Sequence, residues 1–366
     1  MKILSAMARA IRRRRRRVVA PAWPQSITIE SSSICNLACR MCPRSAETFE
    51  AICAETPPFL TPELFDRIEP WLDRFAYVDL TGWGEPLMNP HIIDFVQRVK
   101  KRGPQVSFIT NGSLLDAERG ATLLEAGVDF LTVSCDAGQA ETYEAVRGAD
   151  RFDALIENLS RFRQERDRRG RNTCVNWAYV MMKSNIGQLP EAVEWAGRCG
   201  IDRISVKHME TALDDDNLAQ ALFDTRRVAL PTEKENQYYV DMIHQARLVA
   251  DRYPRLEFVM AHPPFDPNER TCLARPNENV VLDTQGNLAP CCYTLPADTR
   301  PYQTERSQEQ KTFLLGNVWV LPMDRIFAAF PYRAFSRAFS GGGAPEPCLG
   351  CIQLARRPGR GNKKQQ

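Results

Sequence analysis

From Ser26 onward the apolar positions follow two alternating periods. Short runs such as "SITIE" (26–30) and "QVSFITNG" (105–112) are rich in β-formers, and longer runs between them repeat their apolar residues every three or four positions. The first pattern predicts strands and the second amphipathic helices, and their alternation predicts parallel strands joined by crossover helices. "TPELFDRIEPWLDRF" opens with a Thr cap and a Pro at the first helical position, then feeds "AYVDLTGWGEP", a strand ending in a glycine-rich turn. "PHIIDFVQRVKKR" reads as a helix, "SLLDAERGATLLEAG" as a helix closed by Gly127, and "VDFLTVSCDAG" as the next strand. "NTCVNWAYVMMKSN" and "IDRISVKHME" are two further strands around the helix "GQLPEAVEWAGRCG".

These runs make six βα units between about residues 26 and 212, fewer than the eight of a closed barrel. The expected fold class is α/β, a partial (β/α)6 TIM-like barrel with a small cysteine-rich C-terminal domain. The expected boundaries are a basic segment over 1–24, the core over 25–225, a connection over 226–268, the C-terminal domain over 269–355 and a basic tail over 356–366. The connection holds a helix from Pro231, the short strand "LEFVM" and the proline-rich "HPPFDPNE"; beyond it "NVVLDTQGNLAPCCY" reads as a strand pair turning at Gly286-Asn287.

Charge sharpens this division. The first twenty residues carry Lys2, Arg9 and Arg12 to Arg17 without one acid, against a whole-chain net charge of +3, which leaves the remainder at about −5. Five further cations follow Leu354, so basic character sits at the two ends. Blocks of like charge are usually solvated tails, and the N-terminal block is also suited to weak contact with an anionic surface. No apolar core follows it, as a secretory signal requires, and no run of eighteen apolar residues appears. The expected location is the cytoplasm.

Twelve cysteines without an export signal argue for metal ligation in a reducing compartment rather than a disulfide framework. Cys35, Cys39 and Cys42 lie together in "ICNLACRMCPR"; Cys272, Cys291 with Cys292, and Cys348 with Cys351 form a second set; Cys53, Cys135, Cys174 and Cys199 are scattered singly and read as core thiols. Three thiolates leave one position open on a metal group that takes four. In the second set Cys272, Cys291, Cys348 and Cys351 supply four, which permits zinc or an iron–sulfur cluster. Every odd motif sits at the carboxyl end of a predicted strand, where functional residues of parallel βα folds gather.

The spacing Cys35-x3-Cys39-x2-Cys42 directly after a first strand resembles the signature of the radical S-adenosylmethionine (SAM) enzymes. "GWGEP" at Gly82 to Pro86 is similar to the glycine-rich motif of that family, in which Gly82 and Gly84 let the backbone approach the methionine end of SAM and Glu85 meets its ammonium group. "TNG" with Asn111 and "SCDAG" with Ser134 and Asp136 resemble the elements that reach the ribose hydroxyls and the methionine carboxylate, to which Arg147 adds a positive charge. Met41 stands where the family often has an aromatic residue, and it can pack on adenine. "ISVKHME" lacks the usual glycine-containing adenine motif, so no residue is carried over from it.

The resemblance implies a [4Fe-4S] cluster on Cys35, Cys39 and Cys42, SAM on its open iron, and a low-potential electron donor such as flavodoxin or ferredoxin. The C-terminal cysteines flanking a hairpin resemble a SPASM or twitch domain. This implies one auxiliary [4Fe-4S] cluster on Cys272, Cys291, Cys348 and Cys351, with Cys292 as spare or as substitute for Cys291. The expected reaction is hydrogen abstraction followed by oxidation or bond formation. Only some thirty residues precede Cys35, which tilts the expectation toward a small-molecule substrate over a peptide. A metal-binding scaffold for nucleic acid is the alternative from another class, and it leaves Glu85, Asn111, Asp136 and Arg147 without a purpose.

Overall fold

The computed structural model describes residues 23–42, 44, 56–209, 220, 222, 233–260, 272, 275–295, 312–340 and 345–348. Its backbone is organised by a single ten-stranded sheet. Strands β1 (Ser26–Ile29), β2 (Tyr77–Asp79), β3 (Gln105–Thr110), β4 (Phe130–Ser134), β5 (Cys174–Met181) and β6 (Arg203–His208) are parallel neighbours in chain order, as the alternation predicts.

The helices between them follow from their sequences. In α1 (Pro62–Ile68) the Thr61 hydroxyl accepts the Leu64 N–H at 3.3 Å, while Leu64, Phe65 and Ile68 face the core. In α2 (Ile92–Arg102) Ile92, Phe95, Val96 and Val99 make one buried stripe, with three cations in the last turn and Gly103 in the left-handed region at φ +105°. Asp116 caps α3 (Ala117–Ala126), and α4 (Ala140–Arg147) and α5 (Phe152–Arg168) follow β4, with α6 (Leu189–Arg198) after β5.

The sheet extends past the six expected strands on both sides. The stretch expected as a connection supplies α7 (Glu233–Ala250) and β7 (Glu257–Met260), which pairs in parallel with β6. On the other side β8 (Asn279–Leu282) pairs in parallel with β1, and its antiparallel partners β9 (Asn287–Ala289) and β10 (Gly316–Asn317) form the edge. The hairpin turns at Gly286, at φ +84°, with the Asp283 carboxylate accepting the Gln285 and Asn287 N–H groups. Helices α8 (Met323–Ala328) and α9 (Phe330–Ser340) close the described chain, and the Phe327 ring meets Trp23, just before β1, at 4.5 Å.

Side chains alternate across the sheet. Ile27, Ile29, Val78, Val106, Leu131, Val133, Val175, Trp177, Ile204, Val206, Val280 and Leu282 are buried in the core shared with the helices. The opposite face carries Thr28, Asp79, Ser107, Thr132, Asn176, Ser205 and Lys207. There Ser205 donates to Asn176 at 2.7 Å, and Asn176 donates to Thr132 at 3.3 Å. One face is therefore oily and one polar, with the polar side away from the helices.

Candidate functional site at the strand ends

The cysteine loop leaves the carboxyl end of β1 and is clamped from two sides. The Gly84 N–H donates to the Ser32 carbonyl at 2.9 Å and the Glu85 N–H to the Ile34 carbonyl at 2.8 Å. Gly84 lies so close that a Cβ there would sit 2.6 Å from the Ile34 nitrogen, and one on Gly82 would sit 2.5 Å from the Ser32 carbonyl oxygen. These two glycines are thus required by backbone-to-backbone contact with the loop. From the other side the Arg40 N–H donates to the Val146 carbonyl at 2.9 Å, and Gly148, at φ +73°, packs on Ala38. The Cys42 N–H donates to the Cys39 carbonyl at 3.0 Å, which folds Cys39 and Cys42 onto one turn, with Cys35 in the loop that leads into it.

Polar side chains from two further strand ends and one helix end converge on that loop. Asn111, after β3, donates through Nδ2 to the Cys35 sulfur at 3.7 Å and to Asn36 Oδ1 at 2.9 Å. Arg147, in the last turn of α4, donates through Nη1 to the Cys39 sulfur at 3.8 Å and pairs through Nη2 with Asp136. Asp136 is fully buried and accepts the Val180 N–H at 2.6 Å. Burial pushes the Asp136 carboxyl up, opposed by the Arg147 charge; burial likewise works against the Arg147 cation, but Asp136 and Cys39 hold its pKa above the ordinary value.

The Glu85 carboxylate is buried and satisfied within the protein: it accepts Thr110 Oγ1 at 2.6 Å, the Asn111 N–H at 2.7 Å and the Leu87 N–H at 3.0 Å. It therefore ties "GWGEP" to "TNG". Burial raises its pKa against those donors. Ser134 ends β4, half-buried, two residues before Asp136. Met41 packs against the buried cluster of Val146, Met182 and Met209. A cavity of about 290 Å³ opens beside it, lined among others by Arg40, Met41, Val146, Met182 and Ser184.

Three thiols on one clamped loop, each with an N–H donor aimed at its sulfur, fit a group bound through thiolates. The Arg147 Nε, buried and without a hydrogen-bond partner among the described residues, fits an additional anionic neighbour. Among the described residues no three Cys, His, Asp or Glu side chains yet converge as a metal site, so the fit rests on the donor set and its surroundings. Burial raises the Cys39 pKa, partly offset by Arg147, and pushes Cys42 up to about 11.

In the second set Cys272 and Cys348 are buried in one cluster around Phe335, flanked by Phe313 and Phe339. Cys291 and Cys292 contact each other, and that hydrogen bond, followed by burial, raises the Cys291 pKa well above its usual value. Cys351, Cys53 and both basic ends lie outside the described residues. Cys135 is fully buried, its pKa pushed up to about 12 by burial, and Cys199 is buried beside Ser160; both are core thiols.

Some participants carry little mark in the sequence. Asn36 binds both Asn111 and Ser113, and its place between two cysteines was the available signal. Glu30, at the end of β1, is buried and accepts the Trp83 N–H at 2.9 Å, yet in sequence it closes an ordinary strand run. Asn185 holds the Asp136 carbonyl at 2.9 Å, and the Met pair at the end of β5 supplies Met182 to the apolar cluster.

Comparison with known proteins gives these placements a context. Residues 29–196 match the family model described as the radical SAM superfamily. A tungsten-containing aldehyde ferredoxin oxidoreductase cofactor-modifying protein of Pyrococcus furiosus is 26% identical over 84% of this chain and 82% of its own. A PqqA peptide cyclase of Streptomyces rochei is 24% identical over 90% of this chain and 81% of its own. A probable GTP 3',8-cyclase of Thermococcus kodakarensis is 30% identical, but the match spans 48% of this chain and 54% of that protein. Among solved structures, Streptococcus suis SuiB bound to S-adenosylmethionine superposes with a TM-score of 0.62 at 18% identity, over 87% of this chain and 68% of that one. The anSMEcpe structure with bound AdoMet gives 0.59 at 16% identity, over 91% and 89%. At such identities these two establish the fold.

Proposed function

We propose an activity from one premise: this chain is a member of the radical SAM superfamily. The reading is an enzyme that reductively cleaves S-adenosylmethionine and removes a hydrogen atom from a substrate on the polar face of the sheet. The observation that carries it is the loop of Cys35, Cys39 and Cys42, with Asn111 and Arg147 donating to two of its sulfurs. A [4Fe-4S] cluster bound there would supply the electron for SAM cleavage, with a flavodoxin or ferredoxin as the source.

The protein's own residues divide the remaining tasks. Met41, Val146, Met182 and Met209 offer an apolar, polarisable wall for adenine, beside a cavity near the lower end of ordinary ligand-pocket volumes, about 300 Å³. Ser134, Asp136 and Arg147 stand nearest the ribose and methionine ends. Gly82, Gly84 and Glu85 set the turn's position. Lys207, half-buried at the end of β6 and without an ion-pair partner among the described residues, supplies a cation to a polar substrate. Cys272, Cys291, Cys348 and Cys351 hold one auxiliary cluster, a reading supported by the shared burial of Cys272 and Cys348. Substrate oxidation or bond formation would use it. We assign 25–225 to the catalytic core and 269–355 to the auxiliary domain, and we place the enzyme in the cytoplasm on its cysteine content.

The polar face suits a small polar molecule. A peptide is the second reading, favoured by the alignment of a PqqA peptide cyclase across 90% of this chain. No helix among the described residues is long and apolar enough to cross a membrane.

The test is anaerobic reconstitution with iron and sulfide, followed by S-adenosylmethionine and a strong reductant. About eight irons per chain are expected from two cubanes, falling to about four in Cys348→Ala. Formation of 5′-deoxyadenosine should disappear when Cys35, Cys39 and Cys42 become Ala. Zinc in place of iron, or no deoxyadenosine from a fully loaded protein, would return the chain to the binding-scaffold alternative.

A further inference from the structure

The three thiols of the cysteine turn do not share one environment. Cys42 receives a backbone N–H, from Arg44. Cys35 receives a neutral side-chain donor, Asn111, whose amide is fixed because its Oδ1 accepts the Ser113 N–H at 2.9 Å and the Ser113 hydroxyl at 2.7 Å. Cys39, the most buried of the three, receives a charged donor, the Arg147 guanidinium. That guanidinium is itself fixed by Asp136, whose carboxylate is pinned by the Val180 N–H and whose carbonyl is pinned by Asn185.

We infer that the buried Asp136–Arg147 pair sets the reduction potential of the cluster on Cys35, Cys39 and Cys42, acting through the Cys39 sulfur; this rests on the radical SAM reading. Reduction would add one electron, and so one negative charge, to the cluster as a whole, part of it carried on the sulfurs. Hydrogen bonds to the sulfurs and nearby cations stabilise that extra charge and raise the potential. Burial amplifies the effect, because charge interactions strengthen as solvent screening falls. Arg147 therefore favours the reduced state, and the Asp136 carboxylate moderates it. The two members of one ion pair act with opposite signs.

A purely mechanical role is the competing account, since Arg147 ends the helix whose Val146 carbonyl holds the Arg40 N–H. A clip would change loading or stability without giving opposite shifts from the two halves of the pair. The experiment is an anaerobic potentiometric titration of the reconstituted full chain, followed by electron paramagnetic resonance. The signal of the SAM-binding cluster is identified by its change on adding S-adenosylmethionine. Arg147→Gln is expected to lower the midpoint and Asp136→Asn to raise it, each changing the reduced-to-oxidised ratio at a fixed potential by roughly tenfold, which is about 59 mV for one electron. Arg147→Lys, which keeps the charge, should fall between wild type and Arg147→Gln.

Midpoints equal to wild type in variants of normal iron content, or shifts of the same sign from both halves of the pair, would overturn the inference. If Arg147→Gln fails to hold iron, the sign of the Asp136→Asn shift decides alone: upward supports the inference, unchanged or downward removes it. If neither variant loads, the mechanical clip is the answer and the inference falls. Failure of the underlying reading looks different: wild-type protein whose spectrum does not respond to S-adenosylmethionine.

Discussion

Glu30 shows what a single buried carboxylate does at the mouth of this sheet. Burial raises its pKa from 4.5 to about 7, with the Trp83 N–H opposing and the nearby Asp283 adding to the rise. The folded protein therefore binds a proton at Glu30 that the unfolded chain has released between those two values. Stability must fall as pH rises from about 4.5 through 7 and level off above, by at most about 3 kcal/mol from this group. Glu30→Gln removes that slope, so the difference between variant and wild type in anaerobic urea unfolding should grow in favour of Gln from pH 5 to pH 8. A constant difference across that range would mean that Glu30 titrates normally. Gly84 fails in another way. A methyl group there meets the Ile34 backbone, which has no flexible side chain to give way. Gly84→Ala is expected to cost roughly 3 kcal/mol and to lower the iron content after reconstitution. Full iron retention would show that the turn tolerates displacement.

At the scale of elements, the sequence was readable wherever local signals decide the outcome. α2 is marked by its apolar stripe and Gly103, and α3 by Asp116, whose carboxylate accepts the Arg119 N–H at 2.8 Å. Asp116→Ala should therefore cost about 1 kcal/mol in stability while leaving iron content and deoxyadenosine formation unchanged, since the cap only secures the start of α3. An activity loss beyond the stability loss would tie α3 to the site. β7 was legible as a strand but not as part of the sheet, because its register against β6 depends on α7 folding back over residues distant in sequence. β8 and β9 were legible as a hairpin from Gly286-Asn287, whereas the parallel pairing of β8 with β1 spans some 250 residues and leaves no local trace. The site divides in the same way. Glu85, Asn111, Asp136 and Arg147 could be named from the order of their motifs and the family resemblance that order carries, but their partners are set by tertiary contact. Glu85 meets Thr110, and Arg147 meets Asp136 and Cys39.

At the scale of the whole molecule, the C-terminal hairpin and strands β1 to β6 form one sheet, and this has a mechanical consequence for β1. Ile27 and Ile29 are fully buried, and β1 is hydrogen-bonded to β2 on one side and to β8 on the other. Removing everything after residue 268 would strip β8 away, along with Val280 and Leu282, and turn β1 into an exposed edge beside the cysteine turn. It would also remove Phe327 from Trp23. An apolar strand with an unpaired edge is a template for association between chains. The truncated chain should therefore aggregate on expression and fail to hold iron at Cys35, Cys39 and Cys42, although those residues and their donors all precede the cut. Cys348→Ala, which keeps β8, should remain soluble and retain that first cluster. A soluble truncation product with about four irons and active SAM cleavage would instead show that the core completes its fold without β8, with the hairpin merely resting against its edge.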